Sequence, residues 1–419
     1  MTAFPQRPDH AAQDGYSTGQ PPFVPSSALE SDPHAVFRYW RVRTPVIQRE
    51  DGACLVLRAA DVEALLTDGR TRQIDGGLYS RIRGVPPGPL HDLLVESLLM
   101  SEGDAHRRRR APMSRVLAFR AVEALRDTVR SAAESLIDDV ETKRGTEDEI
   151  DLMTAFCAPL PPLVMSRLLG APSGDAQAFA RWVYQASPAF APSLPGEDMG
   201  EMVEGATRLT AYVEQALAEA MAGEGPRSEL MNNMVAAVGA EALTQAEAVA
   251  QLVTLIIGAS DTTRTAMAIQ VGLVLATGQA WRRLGDDLDL ARATVAEALR
   301  VQPAVGSIPR YAMEEIVLDG ATIPAGRLVS LSTLSAMRDP ARFSNPDAFI
   351  IDRTDHPRWP LAFGGGAHRC IGEALARLEL EEGLMALSRR LPSLRLAGPP
   401  PKIEGYAGIR RIDGLRVAL

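Results

Sequence analysis

Cysteine is scarce in this chain, with Cys54, Cys157 and Cys370 the only three among 419 residues. So small and odd a number of cysteines excludes a secreted domain held together by disulfides and favours a reducing cytoplasm. Basic residues are also in the minority, with 44 Lys and Arg against 53 Asp and Glu and a net charge of -9. The one conspicuous basic run is "HRRRR" at 106–110. Nucleic acid is therefore not expected as a partner.

Long apolar runs are missing as well. The most apolar stretch, residues 248–275, is interrupted by "GASDTTR" at 258–264, well short of the roughly 18 residues that a membrane span requires. The N-terminus lacks a basic segment followed by an apolar one, so it does not read as a signal peptide. We therefore predict a cytoplasmic protein without a membrane partner.

The rest of the composition, 46% hydrophobic and 23% charged, is typical of a globular protein. Residues 1–25 are predicted to form a flexible tail, and residues 26–419 a single domain. Helical spacing of apolar residues over 116–137, 202–221 and 248–275 predicts long helices, the last of them central and buried. Strand signals flank the Asp-Gly pairs at 51–52 and 319–320 and recur near the C-terminus. The predicted fold class is mainly α with small β-sheets (α+β).

The stretch "LAFGGGAHRCIGEALARLEL" at 361–380 places Cys370 between a glycine-rich loop and a helix predicted to begin near Ile371. A helix N-terminus favours a thiolate, and glycines let a flat ligand approach the backbone. A free buried cysteine beside a turn is the alternative. The glycines lack the G-x-G-x-x-G order of dinucleotide sites, and no second His or Cys pair lies nearby for zinc.

Nine residues of this stretch fit the pattern F-G-x-G-x-H-x-C-x-G-x-x-L-A-R: Phe363, Gly364, Gly366, His368, Cys370, Gly372, Leu375, Ala376 and Arg377. The pattern resembles the haem-thiolate loop of the cytochrome P-450 superfamily, and the resemblance spans roughly residues 35–419. It implies the cytochrome P-450 fold, with a long central helix over haem b. It also implies that Cys370 is the metal ligand and that Phe363, Gly364 and Gly372 contact the cofactor.

Two further motifs extend the resemblance. Glu297 and Arg300 in "EALR" are similar to the family's E-x-x-R, and Arg353 stands where the family has the arginine that completes the network. An ordinary i,i+3 pair is the alternative for the first two. His106, Arg110, Arg310 and His368 resemble the residues that hold the haem propionates. For Arg107, Arg108 and Arg109, a solvated helix face remains the alternative.

The segment "GASDTT" resembles the family's oxygen-binding motif, with Asp261 and Thr262 as its catalytic acid and alcohol. A hydroxyl at 262 can donate to the carbonyl at 258, which is expected to open the helix locally. Ala259 stands where the family usually has glycine, and it is expected to narrow the groove beside the cofactor by a methyl group. A polar kink or an inter-helix contact is the alternative.

The resemblance implies a haem-thiolate monooxygenase that inserts one oxygen atom from dioxygen into a small organic substrate. Electrons would come from an external ferredoxin and an NAD(P)H-dependent ferredoxin reductase, docking at Arg107, Arg108, Arg109 and Arg369. The family's substrate pocket maps onto segments that include residues 71–100 and 182–195. The alternatives are a peroxide-driven or other haem-thiolate oxidative enzyme and a non-catalytic haem sensor, and the Asp261-Thr262 pair speaks against both.

Overall fold

A computed structural model describes residues 19–143, 148–170, 176–190, 198–224, 228–278, 280–358 and 360–419. Within these ranges the chain forms seventeen α-helices and twelve short strands. The helices are α1 Ser26–Ser31, α2 Pro33–Arg41, α3 Ala59–Leu65, α4 Gly76–Arg83, α5 Pro89–Glu96, α6 Gly103–Ser114, α7 Phe119–Glu123, α8 Arg126–Lys143, α9 Leu160–Leu169, α10 Ala176–Ala186, α11 Met199–Met221, α12 Glu229–Gly239, α13 Gln245–Thr277, α14 Trp281–Leu284, α15 Leu288–Val301, α16 Thr333–Ala336 and α17 Glu373–Arg390.

The strands are few and short, as the α+β class requires. They are β1 Val46–Gln48, β2 Cys54–Val56, β3 Thr71–Arg72, β4 Glu149–Asp151, β5 Ile308–Ala312, β6 Ile316–Leu318, β7 Ala321–Ile323, β8 Leu328–Leu331, β9 Arg395–Leu396, β10 Ile403–Glu404, β11 Arg411–Ile412 and β12 Arg416–Ala418. One sheet has the order β1-β2-β8-β5-β3, and the others have two or three strands. The predicted fold class is confirmed.

Both Asp-Gly pairs lie between antiparallel strands, as predicted. The first joins β1 to β2 and the second joins β6 to β7. Gly52 and Gly320 have φ angles of 80° and 81°, which glycine adopts without the steric cost that a Cβ brings. The turn chemistry therefore fixes these two hairpins locally.

The long central helix is α13, whose 33 residues span about 50 Å. It begins with a capping box, in which Thr244 and Glu247 satisfy each other's backbone N–H groups, and it ends at Gly278 with φ 64°. The helix packs against α5, α9, α11, α15 and α17. Most of its side chains are buried, so the prediction of a buried central helix is confirmed. No helix among the described residues is long and apolar enough to span a membrane.

Two predicted boundaries were wrong. Residues 19–25 do not belong to a free tail, because Phe23 forms a β-bridge with Gln48 and the side chain of Val24 is buried. Residues 1–18 lie outside the described residues. The helix predicted over 116–137 is instead divided into α7 and α8, which meet at residues 124–125.

A buried ionic network joins α15 to the chain that leads toward Cys370. Glu297 accepts hydrogen bonds from Arg300 at 2.7 and 2.8 Å and from Arg353 at 3.1 and 3.2 Å, and neither Glu297 nor Arg300 is exposed. The predicted third member, Arg353, is therefore present. His356 was not predicted, and its Nε2 lies 3.3 Å from Glu297 Oε2. Because every charge faces an opposite one, the network can be buried without an unpaired ion.

Candidate functional site

The loop that carries Cys370 is closed on itself by the backbone. The Cys370 N–H donates to the Phe363 carbonyl at 2.8 Å, and Arg369 Nη1 donates to the Gly364 carbonyl at 2.9 Å. Gly366 has φ 64°, and a Cβ at this position would lie 2.7 Å from the Leu66 carbonyl oxygen. Only glycine fits there, so the glycine-rich sequence is a requirement of the loop's shape.

Cys370 differs from the other two cysteines in its access. Cys54 and Cys157 are buried, whereas the Cys370 side chain is exposed although it lies deep in the fold. Burial raises the pKa of the Cys370 thiol, an effect that the Gly372 N–H and then the Arg110 and Arg369 guanidinium groups oppose. Coordination to a metal ion deprotonates a thiol outright. The sulfur is therefore available as a ligand.

The helix after the loop begins two residues later than predicted. α17 starts at Glu373, with Gly372 as its N-cap. A Cβ at Gly372 would have Cys370 Sγ, 4.0 Å away, as its nearest neighbour. The space beside the sulfur is thus left open by the protein. An open space there is what a bulky ligand on Cys370 needs.

The central helix has one opening in its otherwise buried middle section. Between residues 247 and 272, all residues but four are buried. Gly258 is exposed, and Ala259, Thr262 and Arg264 are partly exposed. Thr262 and Gly258 are one turn apart, so they share a face of the helix. This opening coincides with the "GASDTT" motif.

The predicted hydrogen bond of the motif is present: Thr262 Oγ1 donates to the Gly258 carbonyl at 2.8 Å. The expected local opening is not reflected in the helix assignment, since α13 is continuous from Gln245 to Thr277. A threonine hydroxyl can bond four residues back without breaking the ladder, because a carbonyl has a second lone pair. Ala259 lies in the same turn, where its methyl group is half-buried.

Asp261, which precedes Thr262 in the motif, is buried. Its Oδ2 accepts from Ser187 Oγ at 2.6 Å, and its Oδ1 accepts from Arg264 Nε at 2.8 Å. The Arg264 guanidinium carbon in turn lies 3.8 Å from the centroid of the Tyr184 ring. Neither Ser187 nor Arg264 was predicted from the sequence as a partner of Asp261. The spacing of Asp261 and Arg264, at i and i+3, was the signal that could have found the second.

The four residues predicted to hold propionates lie around the same loop. The His106 and His368 rings have centroids 4.1 Å apart. Arg110 Nη2 donates to the Arg369 carbonyl at 2.7 Å, next to Cys370. Arg310 lies on β5 and is buried. Burial lowers the pKa of both arginines.

An acidic residue, Glu102, also belongs to this cluster, and the sequence analysis missed it. Its Oε1 accepts from the Gln73 N–H at 2.7 Å, and its Oε2 lies 3.3 Å from His368 Nε2. Burial raises its pKa, but the nearby His368 imidazole, the Gln73 N–H and the Arg310 charge together lower the pKa to about 2. Burial, His368 and Arg110 lower the pKa of His106 to about 4. At neutral pH Glu102 is therefore negatively charged, and the nearby His106 is neutral.

The solvated-face alternative for Arg107–Arg109 is wrong for Arg109, which is buried, whereas Arg107 and Arg108 are exposed. Arg109 is buried and pairs with Glu96 and, at 3.2 Å, with Glu247. Arg108 donates to Glu247 at 2.6 Å. Arg107 alone of the three is strongly exposed, where it pairs with Asp104. Helix α6 thus uses Arg108 and Arg109 to bind the start of α13.

These residues fit a haem group. Among the described residues, Arg110 and Arg310 have no carboxylate within ion-pair distance, and His106 Nε2 has no hydrogen-bond partner. Buried cations are normally paired, so two carboxylates are expected to complete this cluster. The propionates of haem are two such groups. The exposed Cys370 and the opening on α13 are the other two features that a bound haem requires.

Comparison with known proteins agrees with this geometry. The family model for cytochrome P450 matches residues 282–391. The plant-inducible cytochrome P450-pinF1 of Rhizobium radiobacter is 40% identical over 400 residues, which cover 95% of this chain and 93% of that protein. The chain belongs to the cytochrome P450 family.

Two more similarities place the P450 among bacterial members. Nocardicin C N-oxygenase of Nocardia uniformis subsp. tsuyamanensis is 33% identical over 371 residues, which cover 88% of each chain. The crystal structure of CalO2 superimposes with a TM-score of 0.84 at 26% identity, over 94% of this chain and 97% of that one. The protein is a cytochrome P450 monooxygenase, an oxidoreductase whose cofactor is haem b.

Proposed function

We propose that this P450 hydroxylates a small organic substrate with electrons from an external ferredoxin, that Cys370 ligates the haem iron, and that Thr262 and Asp261 control proton delivery. The observation that supports the proposal best is the opening on α13. Thr262 lies in that opening, and the preceding residue, Asp261, is buried. The alcohol is therefore accessible from the opening, whereas the acid is enclosed by the protein.

Haem, when bound, supplies dioxygen binding and the oxidising chemistry. The chain's own residues supply orientation and protons. His106, Arg110, Arg310 and His368 would hold the two propionates, and Cys370 would donate the thiolate. Phe363 and Gly364 shape the loop from the side of Cys370, since the Phe363 carbonyl accepts the Cys370 N–H. Ala259 would narrow the space in front of Thr262.

The hydroxyl of Thr262 would act as the last donor in a proton route. In the described structure it donates inward, to the Gly258 carbonyl. A rotation about its χ1 would redirect the proton toward the opening. Asp261 would feed the route through its contact with Arg264, which is partly exposed. General acid catalysis of this kind contributes about 10²–10⁴-fold in rate.

The test is the ratio of product formed to NAD(P)H consumed in Thr262→Ala and in Thr262→Ser. Thr262→Ala should still bind haem and substrate, but it should divert much of the reducing power to hydrogen peroxide. Thr262→Ser keeps the hydroxyl and should retain most of the coupling. Thr277→Ala is the matched control, because Thr277 makes the same bond to the carbonyl four residues back at 3.0 Å, near the C-terminal end of α13. An unchanged ratio in Thr262→Ala would sink the proton role.

The rival functions give different results in the same assay. A peroxide-driven enzyme would show little effect of Thr262→Ala when hydrogen peroxide is supplied directly. A haem sensor would form no product with either variant. The presence of both Asp261 and Thr262 favours the monooxygenase, since neither rival needs them.

The docking surface for the ferredoxin needs revision, because Arg108 and Arg109 are tied to Glu247. A cleft of about 410 Å³ lies instead behind the Cys370 loop, and α17 forms one of its walls. Arg377 of that cleft lies 5.2 Å from the centroid of the Phe363 ring, so the cleft adjoins the loop directly. Its rim carries Arg292, with 45% of its side chain exposed, and Phe119, which is 58% exposed.

We propose this cleft as the site that receives an acidic ferredoxin. Four arginines and three glutamates line the cleft with the exposed Phe119, so arginine is slightly in excess there. Arginine and aromatic residues are enriched in binding hot spots, and opposite charges speed the encounter. Arg292→Glu should slow reduction of the haem and weaken its dependence on salt, without changing substrate affinity. Arg208→Glu on α11 is the control, since Arg208 is 63% exposed but lies outside the cleft. The cytoplasmic location stays a prediction that rests on the scarcity of cysteine.

A further inference from the structure

Both oxygens of the Asp261 carboxylate accept hydrogen bonds, and both donors are positioned by the neighbouring helix α10 or the turn that follows it. Ser187 takes no part in the reaction itself. It is the first residue of the 3-10 turn Ser187–Phe190, which follows α10. Its hydroxyl donates to Asp261 Oδ2 at 2.6 Å, and the side chains of both residues are buried. A hydrogen bond to a buried carboxylate is among the stronger ones in proteins.

The second donor, Arg264, is also positioned by α10. Its guanidinium lies over the ring of Tyr184, at 3.8 Å from the centroid. The Tyr184 hydroxyl donates to the Ala158 carbonyl at 2.5 Å, which fixes the ring. Ser187 thus reaches Asp261 directly, and Tyr184 reaches it through Arg264. A shift of the end of α10 would alter both hydrogen bonds of the carboxylate.

The residue after Ser187 links the same turn to another segment. The Pro188 carbonyl accepts from Arg83 Nη2 at 3.1 Å, and Arg83 is the last residue of α4. Helix α4 and the turn after α10 fall in the two segments, 71–100 and 182–195, expected to line the substrate pocket. Ser187 and Pro188 therefore connect α4 and the end of α10 to Asp261 on the central helix.

We infer that Ser187 is a positioning residue for Asp261, which couples the packing of α4 against the Ser187–Phe190 turn to the orientation of the carboxylate. When α4 and the Ser187–Phe190 turn are packed as in this structure, Asp261 is held by Ser187 and Arg264. Displacement of the turn breaks the Ser187 bond and frees Oδ2 to accept or pass a proton. This inference rests on the proposed role of Asp261 in proton delivery.

The test uses the haem-loaded protein and the variants Ser187→Ala, Asp261→Asn and their combination. Ser187→Ala should change kcat about tenfold, the worth of one buried hydrogen bond to a charged group, and should leave the substrate Kd from the spin-state titration within about twofold. The solvent deuterium isotope effect on kcat should change with it. Ser187→Thr keeps the hydroxyl and should restore most of the wild-type value.

Ser260→Ala is the matched control. Ser260 precedes Asp261 on the same helix and is buried, but its hydroxyl donates to the Ile256 carbonyl at 2.7 Å. It should change neither kcat nor the isotope effect. A comparable response in Ser260→Ala and Ser187→Ala would show that any lost buried hydroxyl has this effect, and it would overturn the inference.

The double variant separates this inference from the proposed function. If Ser187 acts through Asp261, Ser187→Ala should add nothing in the Asp261→Asn background. Independent, multiplicative effects would overturn the positioning role while leaving the proton role of Asp261 intact. If Asp261→Asn alone leaves turnover unchanged, the proposed function fails, and the inference fails with it.

A second measurement needs no turnover. Hydrogen–deuterium exchange of residues 182–190 in the oxidised enzyme should rise in Ser187→Ala and should rise to a similar extent in Asp261→Ala, because either change removes the hydrogen bond between the turn and α13. Exchange that stays at the wild-type level in both variants would show that the contact does not hold the turn, and it would overturn the coupling.

Discussion

The buried network around Glu297 provides the sharpest prediction about stability. Its carboxylate accepts from Arg300, Arg353 and the Ile350 N–H, and its exposed fraction is zero. In Glu297→Gln the charge is lost, while Arg300 and Arg353 keep theirs. Two buried guanidinium groups would then face a neutral amide. We expect a loss of about 3–5 kcal/mol, the usual result of breaking a buried ion pair from one side.

The pKa of Glu297 leads to a similar magnitude. Burial raises it, but Arg300, His356 and the Ile350 N–H lower it from 4.5 to about 2. At about 1.4 kcal/mol for each pKa unit, this depression corresponds to roughly 3 kcal/mol of stabilisation. Because the folded-state pKa is the lower one, the stabilisation is complete above about pH 4.5 and is lost as the pH falls toward 2. Glu297→Gln should therefore be less sensitive to acid than the wild type.

Urea unfolding at pH 7, followed by far-ultraviolet circular dichroism, measures the effect. Glu63→Gln is the matched control, because Glu63 accepts from Arg342 at 2.8 Å but is 49% exposed at its side chain. It should cost less than about 1 kcal/mol. Equal losses in the two variants would refute the claim that burial sets the magnitude. If Glu297→Gln is too unstable to purify, Glu297→Asp keeps the charge and should be recovered folded.

Three other predictions concern the cofactor site. Cys370→Ala should lose the strongly red-shifted Soret band of the reduced carbon-monoxide complex, whereas Cys54→Ala and Cys157→Ala should keep it; retention of the band in Cys370→Ala would end the ligand assignment. Arg310→Met should weaken haem retention at least tenfold in competition with apomyoglobin, and retention at the wild-type level would remove Arg310 from the propionate site. Gly366→Ala should yield little haem-loaded protein, because its Cβ would lie 2.7 Å from the Leu66 carbonyl oxygen, and a wild-type haem content would contradict this reasoning.

The sequence predicted those features that depend on local spacing. The turns at Gly52 and Gly320, the central helix and the Glu297-Arg300 pair each follow from residues within a few positions of one another. The Thr262 hydrogen bond to Gly258 is also of this kind, since four residues form one helical turn. Such interactions are visible in a sequence because the helix or the turn supplies the geometry.

The partners of Asp261 and Arg109 could not be predicted in this way. Ser187 lies 74 positions from Asp261, and Glu247 lies 138 positions from Arg109. A run of arginines has the same pattern whether it faces water or a carboxylate on another helix. The solvated face that the sequence allowed at 107–109 is therefore found at Arg107, whereas tertiary packing placed Glu96 and Glu247 against Arg109.

The polar groups around Cys370 have one further consequence for the fold. Arg310 is buried and Arg110 is partly buried, and neither has a carboxylate within ion-pair distance among the described residues. Burial lowers the pKa of both, although Glu102 opposes this at Arg310, which means that their charged forms are held at a cost. A group that brings its own negative charges returns part of that free energy. A ligand that binds the folded chain alone stabilises it by mass action. Haem is therefore expected to stabilise the fold as well as to carry the chemistry, since the chain leaves its cations for the cofactor to neutralise.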